Sequence, residues 1–564
     1  MKISNKISVQ NIVEHCELHG IVDIVISPGS RNAPFTISFT NNPFFNCYSM
    51  VDERSAAHFA LGIAQQSNRP VALVCTSGTA ALNYAPAIAE SHMQGIPLLV
   101  ITADRQSNGL EIGDGQAINQ IGVYSNFCEN NYNVIEDEND SSQINFAHIQ
   151  EGFYELLHHN KTVHFNVQLS EPLYDTVDFP QKEKSSTQTE MESFLTVSDT
   201  SKRFIETWNS STTKLILVSE NRFENLQSGL EKLMEQDKNV VVLTESTGDV
   251  VSDLFIPCID RTIERINKEA PEEFIPELIV TIGHSVVSKK IKQLFRAHPP
   301  KAHWSFSEVH NENLFDSEGF EKSTKETDFL GLISANGAKK CQQTQFRKNW
   351  DVAHKISEKG HIEFLNKVEY SDLKAFEFLT ENLPSCNLQM GNSSVVRYLQ
   401  LFNQRADIQY NSNRGVSGIE GCTSTALGAH QVTNNSILIS GDISFFYDSN
   451  AFWNGYVSPN FKVIVINNGE GNIFKILPHP KKDKVSLPFF TTPHQTSIKK
   501  FCELYNLKHF KACNESELET SFHSFLANND QASVLEIDTG EVQNDEILKS
   551  YFSFINAYKS EEIV

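Results

Sequence analysis

The sequence predicts an α/β fold of three doubly wound parallel-sheet domains, and three observations carry that prediction. Short β-branched and apolar runs alternate with longer amphipathic stretches along the whole chain. The runs are apolar throughout instead of alternating with polar residues, which marks strands covered on both faces, as in parallel sheets. Two polar stretches then divide the 564 residues into blocks of ordinary domain size. In the first block, residues 21–27, 71–76 and 97–102 read as strands. The second has 214–219, 240–244 and 278–282, and the third 436–441, 461–467 and 533–537. The polar stretches are 181–202 (QKEKSSTQTEMESFLTVSDTSK) and 335–349 (ANGAKKCQQTQFRKN), both read as linkers. Domains are therefore expected over 1–182, 203–335 and 366–564. No short-period repeat is visible.

Composition narrows the function. Seventy acidic against 47 basic side chains give a formal charge of −23, a surface that repels phosphate backbones and argues against nucleic acid as a partner. An anionic substrate must be drawn in by a few placed Arg and Lys residues. Ten cysteines without a C-x-x-C pair argue against a zinc module or a disulfide framework and fit a reducing cytoplasm. The start, MKISNKISVQ, has no apolar core behind its lysines, so no signal peptide is expected. No apolar run approaches the ~20 residues of a membrane span.

Three clusters carry chemistry. In the third block one strand runs into Gly441-Asp442-Ile443-Ser444, and the next into Asn467-Asn468-Gly469-Glu470. Asp442 and Asn468 are 26 positions apart, each at the carboxyl end of a strand, where open α/β sheets bind ligands. A carboxylate, an amide oxygen and a backbone carbonyl are hard donors suited to Mg²⁺ on a diphosphate. Gly441 permits close backbone approach to phosphate oxygens. Taken singly, Gly-Asp and Asn-Asn are ordinary turn pairs; the pairing after two strands is what points to a site.

The second cluster, Val51-Asp52-Glu53-Arg54-Ser55, opens an amphipathic helix expected to run to Gln65. Acids there complement the helix dipole in any protein. The functional alternative is that Glu53 is a carboxyl whose pKa an apolar pocket raises, so that it can hold a proton near neutrality. The third cluster comprises strand-end loops: Ser27-Pro28-Gly29-Ser30-Arg31, Thr76-Ser77-Gly78, Asp104-Arg105, 113–120 (GDGQAINQ), 391–397 (GNSSVVR) and 412–421 (SNRGVSGIEG). One arginine is as readily a surface ion pair. Arg31, Arg105, Arg397 and Arg414 together, in so acidic a chain, suggest bidentate carboxylate recognition.

The Gly-Asp…Asn-Asn pair resembles the cofactor motif of thiamine-diphosphate enzymes. The segments SPGSRNAP, DERSAAHFALG, TSGTA, SNRG-x-SGI-x-G and GD-x-S resemble one branch, the 2-succinyl-5-enolpyruvyl-6-hydroxy-3-cyclohexene-1-carboxylate synthases of menaquinone biosynthesis. Similarity is dense over 21–124 and 390–478 and thin in the middle block. The resemblance implies a transferase of thiamine-diphosphate-enzyme fold that decarboxylates 2-oxoglutarate and adds the four-carbon remainder to isochorismate. Asp442, Asn468 and the main chain of Glu470 would hold Mg²⁺ or Mn²⁺, with the Glu470 side chain turned away. Glu53 would meet the pyrimidine ring of thiamine diphosphate, whose other contacts would be Gly78, Ile419, Gly441, Ile443, Ser444 and Ile473. Ser30, Arg31, Arg105, Gln116, Lys289, Ser393, Arg397, Arg414 and Phe474 would line the substrate pocket. It further implies a cytoplasmic homodimer or homotetramer, Glu53 of one chain serving cofactor held by Asp442 of another. Two departures stand out: Ile443 where the family often has a third Gly, and Gly115 where many relatives have Asn. Another 2-oxoacid decarboxylase or carboligase of the same cofactor, and a non-catalytic protein of the same fold, are the competing readings. A nicotinamide dehydrogenase is disfavoured by the lack of G-x-G-x-x-G after a strand.

Overall fold

The computed structural model describes residues 2–106, 113, 115–136, 141–178, 199–221, 223, 225–267, 270–307, 309, 312–323, 330–331, 344–476 and 484–559. Every strand expected from an apolar run is present, and each is buried along most or all of its length, as the lack of alternation required. The strands are β1 Lys2–Ser4, β2 Asp23–Ile26, β3 Asn46–Ser49, β4 Val71–Cys75, β5 Leu98–Asp104, β6 Asn130–Val134, β7 Val163–Gln168 and β8 Thr176–Asp178. Then come β9 Lys214–Val218, β10 Val240–Thr244, β11 Leu278–Ile282, β12 Ala302–Phe306 and β13 Gly319–Ser323. The last set is β14 Cys386–Met390, β15 Ile408–Ser412, β16 Ser436–Gly441, β17 Lys462–Asn467, β18 Lys508–Ala512 and β19 Ser533–Asp538.

They form three parallel sheets, ordered β3-β2-β4-β5-β7-β6, β10-β9-β11-β12-β13 and β15-β14-β16-β17-β19-β18, with a small antiparallel β1-β8 pair beside the first. The outer two sheets have the same strand order: the second strand, the first, the third, the fourth, the sixth, the fifth. In both, order reverses beside the opening strand, so the loops after β2 and β4, and after β14 and β16, flank a switch-point crevice. The expected loops carrying Ser30 and Arg31, Gly78, Ser393 and Arg397, and Asp442 and Ser444 follow these strands, whereas Glu53, Arg105, Arg414 and Asn468 follow the neighbouring β3, β5, β15 and β17.

Two expectations need correction. Residues 181–198 and 335–343 lie outside the described residues, but the chain after each of them is helical. Asp199–Ser210 takes the end of the first polar stretch, and the 21-residue helix Gln345–Leu365 begins inside the second. Phe346 and Trp350, four residues apart, bury against Ile259, Ile263 and Phe295 of the middle block, so tertiary packing makes a helix of a polar segment. The helix from Glu53 runs to Ser67 and is not amphipathic in place: every residue from Ser55 to Ala64 is buried.

The reason is a second surface. The helix Glu53–Ser67 packs on its own sheet and, on its other side, on the helix Cys422–Thr433 of the third block. The crossing leaves no room for side chains at two points. A Cβ on Gly62 would lie 2.0 Å from the Thr425 carbonyl oxygen, and one on Gly428 would lie 2.0 Å from that of Phe59. Around the crossing, Arg54 donates to the Tyr447 carbonyl at 2.8 Å and Asn450 donates to Asp52 at 2.6 Å.

Gly428→Val must therefore force the helices apart, at a cost of at least the roughly 1–3 kcal/mol typical of overpacking. We expect a lower thermal midpoint or insoluble protein from Gly428→Val, and an unchanged midpoint from Gly455→Ala, where a Cβ meets open space. Equal melting of the two variants would show that the crossing is not tight.

Candidate active site

Asp442 begins a short helix directly after β16 and is almost fully buried. Its Oδ1 accepts from the Ile443 amide at 2.7 Å, and its Oδ2 from the Gly469 amide at 2.7 Å, which ties the loop after β17 to the end of β16. His494 Nε2 stands 3.4 Å from the same Oδ2, and the carboxylate holds that imidazole above its ordinary pKa. Asn468 gives its amide nitrogen to Asp372 at 3.0 Å, while its Oδ1 is buried without a partner. The Glu470 carboxylate pairs with Lys475, so its charge is answered locally. Space above Gly441 is open: a Cβ there would meet nothing within 4 Å. Ser444 donates to the Ile419 carbonyl at 2.6 Å, which fixes Ile419 beside this loop. Ile473 is buried and Phe474 exposed at the start of the next short helix.

Glu53 occupies the first turn of its helix. Asp52 caps that helix, accepting from the Arg54 and Ser55 amides at 2.8 and 3.3 Å. Glu53 is half-buried close to Cys75 at the end of β4. Burial raises its pKa; a main-chain hydrogen bond and Asn83 pull it down, and Asp52 adds to the rise. A carboxyl so placed retains protons at higher pH than a surface glutamate.

Around it are the first-block loops. Gly78 has φ +85°, and a Cβ there would lie 3.0 Å from the Gln116 carbonyl oxygen, so glycine is required where these loops meet. The Gly78 amide donates to Gln120 at 2.7 Å. Gln116, Gly115 and Ser30 are exposed, and Asp114 lies outside the described residues. Arg31 is buried, donating to the Leu169 carbonyl at 3.0 Å and pairing with Glu171 at 3.1 Å. Asp104 feels both Arg31 and Arg105, which brings these two cations to one place.

A second cation group is carried on the other two sheets. Lys289 opens the helix Lys289–Ala297 after β11, Arg397 lies after β14, and Arg414 lies after β15. Burial and then Arg397 and Arg414 lower the Lys289 pKa. Burial and Arg414 lower that of Arg397, with Asp260 opposing. Arg414 is lowered by burial and partly relieved by Glu220, Glu245 and Glu90. Arg397 and Arg414, poorly solvated and close together, with the more exposed Lys289 beside them, form a region where an added anion is favoured. Arg414 Nη1 donates to Asn392 Oδ1 at 2.8 Å; Asn392 in turn donates to the Asn413 and Gly418 carbonyls, stitching both loops together. Ser393 has φ +71°, a strained conformation for serine, and the Arg397 guanidinium donates to its carbonyl.

Several positioning groups give no sign of themselves in the sequence. Glu90, from the first block, accepts the Gly415 and Val416 amides at 2.6 and 2.8 Å and so holds the Arg414 loop across the block boundary. Lys292 donates to the Val286 carbonyl at 2.7 Å near Arg414 and Glu245. Glu245, fully buried and pushed up to about 7 by burial, accepts the Val287 and Ser288 amides ahead of Lys289. Glu90 and Glu245 are single acids whose partners are distant in sequence, a pattern with no local signal.

The donor set fits a diphosphate-bound divalent ion. Asn468 Oδ1 is a buried oxygen lacking a donor, the Asp442 carboxylate holds the amide of the next residue, Gly469, and Gly441 leaves space above. Among the described residues no group of three His, Cys, Asp or Glu side chains could hold a metal alone.

Residues 9–123 match the family described as thiamine pyrophosphate enzyme, N-terminal TPP binding domain. With the paired sheets and the Asp442–Asn468 loops, this match defines a thiamine-pyrophosphate-dependent enzyme. Curated proteins named 2-succinyl-5-enolpyruvyl-6-hydroxy-3-cyclohexene-1-carboxylate synthase are similar along nearly the whole chain. The one from Flavobacterium psychrophilum is 41% identical over 96% of this chain and 98% of its own length. Those from Flavobacterium johnsoniae and Porphyromonas gingivalis are 40% and 34% identical, each with 98% of its own length covered and 96% and 98% of this chain. The chain belongs to this synthase family.

Each charged hydrogen bond to a bound carboxylate contributes roughly 1.5–3 kcal/mol, and a tenfold change is about 1.4 kcal/mol. Arg397→Ala and Arg414→Ala are each expected to lower kcat/KM for a dicarboxylate substrate by more than tenfold in steady-state assays. Near-normal kinetics in both would remove these arginines from the pocket.

Proposed function

We propose that this chain decarboxylates 2-oxoglutarate and joins the remaining four-carbon unit, by 1,4-addition, to isochorismate. The product is 2-succinyl-5-enolpyruvyl-6-hydroxy-3-cyclohexene-1-carboxylate, an intermediate of menaquinone biosynthesis. The observation that carries the substrate choice is the group Lys289, Arg397 and Arg414, all three lowered in pKa, in an otherwise acidic chain. Both substrates are polyanions with carboxylates that survive the reaction, whereas a monocarboxylate such as pyruvate leaves no carboxylate to hold.

Asp442, Asn468 and the main chain of Glu470 would hold Mg²⁺ (Mn²⁺ as an alternative) on the diphosphate, with Gly441, Ile443 and Ser444 beneath it. Thiamine diphosphate, when bound, supplies the electron sink that lets a 2-oxoacid lose its carboxylate. The remaining work belongs to the protein. Glu53, with its pKa raised by burial, holds or releases a proton at the pyrimidine ring nitrogen. Arg397, Arg414, Lys289 and Ser393, with Arg31, Arg105, Ser30 and Gln116 from the first block, orient the carboxylates that are retained. They must not clamp the one that departs, since that would stabilise the ground state. Ile419, Gly78, Ile473 and Phe474 give the apolar walls that exclude water.

We also infer that the site is completed by a second copy, in a cytoplasmic homodimer or homotetramer. Large apolar side chains stand exposed near both halves: Val51 and Leu82, each 48% exposed, around Glu53, and Phe474 and Phe489, 40% and 82% exposed, beyond Asn468. Patches of this kind mark association surfaces. Among the described residues no helix is long and apolar enough to cross a membrane.

The assay follows loss of isochorismate absorbance with thiamine diphosphate, Mg²⁺ and 2-oxoglutarate, each omitted in turn. Absorbance loss is expected only in the complete mixture, and pyruvate should not replace 2-oxoglutarate. Equal turnover with pyruvate, or turnover without thiamine diphosphate, would overturn the reading.

A further inference from the structure

We propose that Asp372 is the positioning residue that dictates which atom Asn468 presents to the metal. The inference rests on Asn468 being a metal ligand, and it concerns a residue that touches neither metal nor substrate. Asp372 begins the helix Asp372–Asn382, where an acid would be expected merely to complement the helix dipole. Its surroundings say otherwise. The residue is fully buried, with 0% exposure, and its main-chain amide donates to Asn544 Oδ1 at 2.7 Å. Thr539, just past β19, donates its hydroxyl to Oδ1 at 2.5 Å, and Asn468, just past β17, donates its amide nitrogen to Oδ2 at 3.0 Å. Asp372 thus joins a helix start to two neighbouring strand ends.

A carboxylate only accepts hydrogen bonds, whereas the two ends of an asparagine amide are nearly the same shape and can exchange by a half-turn. With Oδ1 of Asp372 taken by Thr539, Oδ2 can be satisfied only by the NH₂ end of Asn468. The oxygen end must then face away, and it does, as the buried Oδ1 without a partner. Reversed, the amide would turn its nitrogen toward the cation and its oxygen toward a carboxylate, unfavourable on both sides. Asp372 therefore preorganises the oxygen donor before metal arrives, as supporting groups do for ligands in metal sites generally.

Asp372→Asn keeps shape and burial but can donate. An asparagine at 372 satisfies an Asn468 flipped by a half-turn, which would then present nitrogen to the metal. The experiment titrates Mg²⁺ calorimetrically at fixed thiamine diphosphate into the unmodified protein, Asp372→Asn and Thr539→Val, with the thermal midpoint of each cofactor-free protein as control. We expect Asp372→Asn to weaken Mg²⁺ binding roughly 10–100-fold, with little change in the cofactor-free midpoint and with kcat recovered at saturating Mg²⁺. Thr539→Val, which frees Oδ1, should show a smaller loss in the same direction. A folded Asp372→Asn that binds Mg²⁺ as tightly as the unmodified protein overturns the proposal. Should Asp372→Asn fail to fold, Thr539→Val decides: weaker Mg²⁺ binding supports the proposal and unchanged binding overturns it. If the unmodified protein itself takes up no Mg²⁺ with thiamine diphosphate, it is the reading of Asn468 as a ligand that fails, and the proposal falls with it.

Discussion

The close crossing of the helix Glu53–Ser67 over the helix Cys422–Thr433 is the contact on which the rest of this structure depends. Two glycines let main chain meet main chain, and no side chain can intervene at Gly62 or Gly428. The helix that carries Glu53 at its first turn is thereby locked to the block of its own chain that carries Asp442 and Asn468. Asp52 reinforces the lock by serving two functions, capping its own helix with one oxygen and accepting from Asn450 with the other. Rigid packing of this kind resists small displacements, so the Glu53 turn and the loops of Asp442 and Asn468 in one chain keep a fixed relation, and each half is held firm for a site shared with a second copy.

The two outer sheets share one strand order, and each presents its switch-point crevice to chemistry of a different kind. The first sheet offers Glu53, Gly78 and small polar loop residues. The third offers hard oxygen donors and open space above Gly441. The middle block contributes Lys289 at the start of the helix after β11, and with it a third cation beside Arg397 and Arg414. Against a chain charge of −23, that local concentration of positive charge is what gives an anionic substrate a reason to enter. Buried carboxylates keep the concentration from becoming self-destructive: Glu90 and Glu245 hold main-chain amides beside Arg414 while tempering its charge.

Much of this is legible in the amino-acid order because parallel strands bury both faces and therefore read as unbroken apolar runs, such as LILV and VIVI. The loops at their ends are legible for a related reason: Gly-Asp and Asn-Asn are ordinary as turns, but chemistry-bearing once strands precede them. The hidden part depends on long-range contact. The Glu53 helix reads as amphipathic because its sequence cannot announce a second helix on its outer side. The segment after residue 344 reads as a linker because only Phe346 and Trp350, amid polar neighbours, anchor it. Glu90 and Asp372 are lone acids whose partners lie 325 and 96 positions away, and the shared strand order of the outer sheets is a property of connection, not of residue pattern.

The central claim is that the proton-bearing carboxyl and the metal-holding loops act on one thiamine diphosphate. A crystal structure of the protein with thiamine diphosphate and Mg²⁺ tests it most directly. The account predicts a Glu53 carboxyl oxygen within hydrogen-bond distance of the pyrimidine ring nitrogen, on a cofactor whose metal touches Asp442 and Asn468 of a second chain. A Glu53 side chain turned into solvent, with the pyrimidine ring lodged elsewhere, would contradict it.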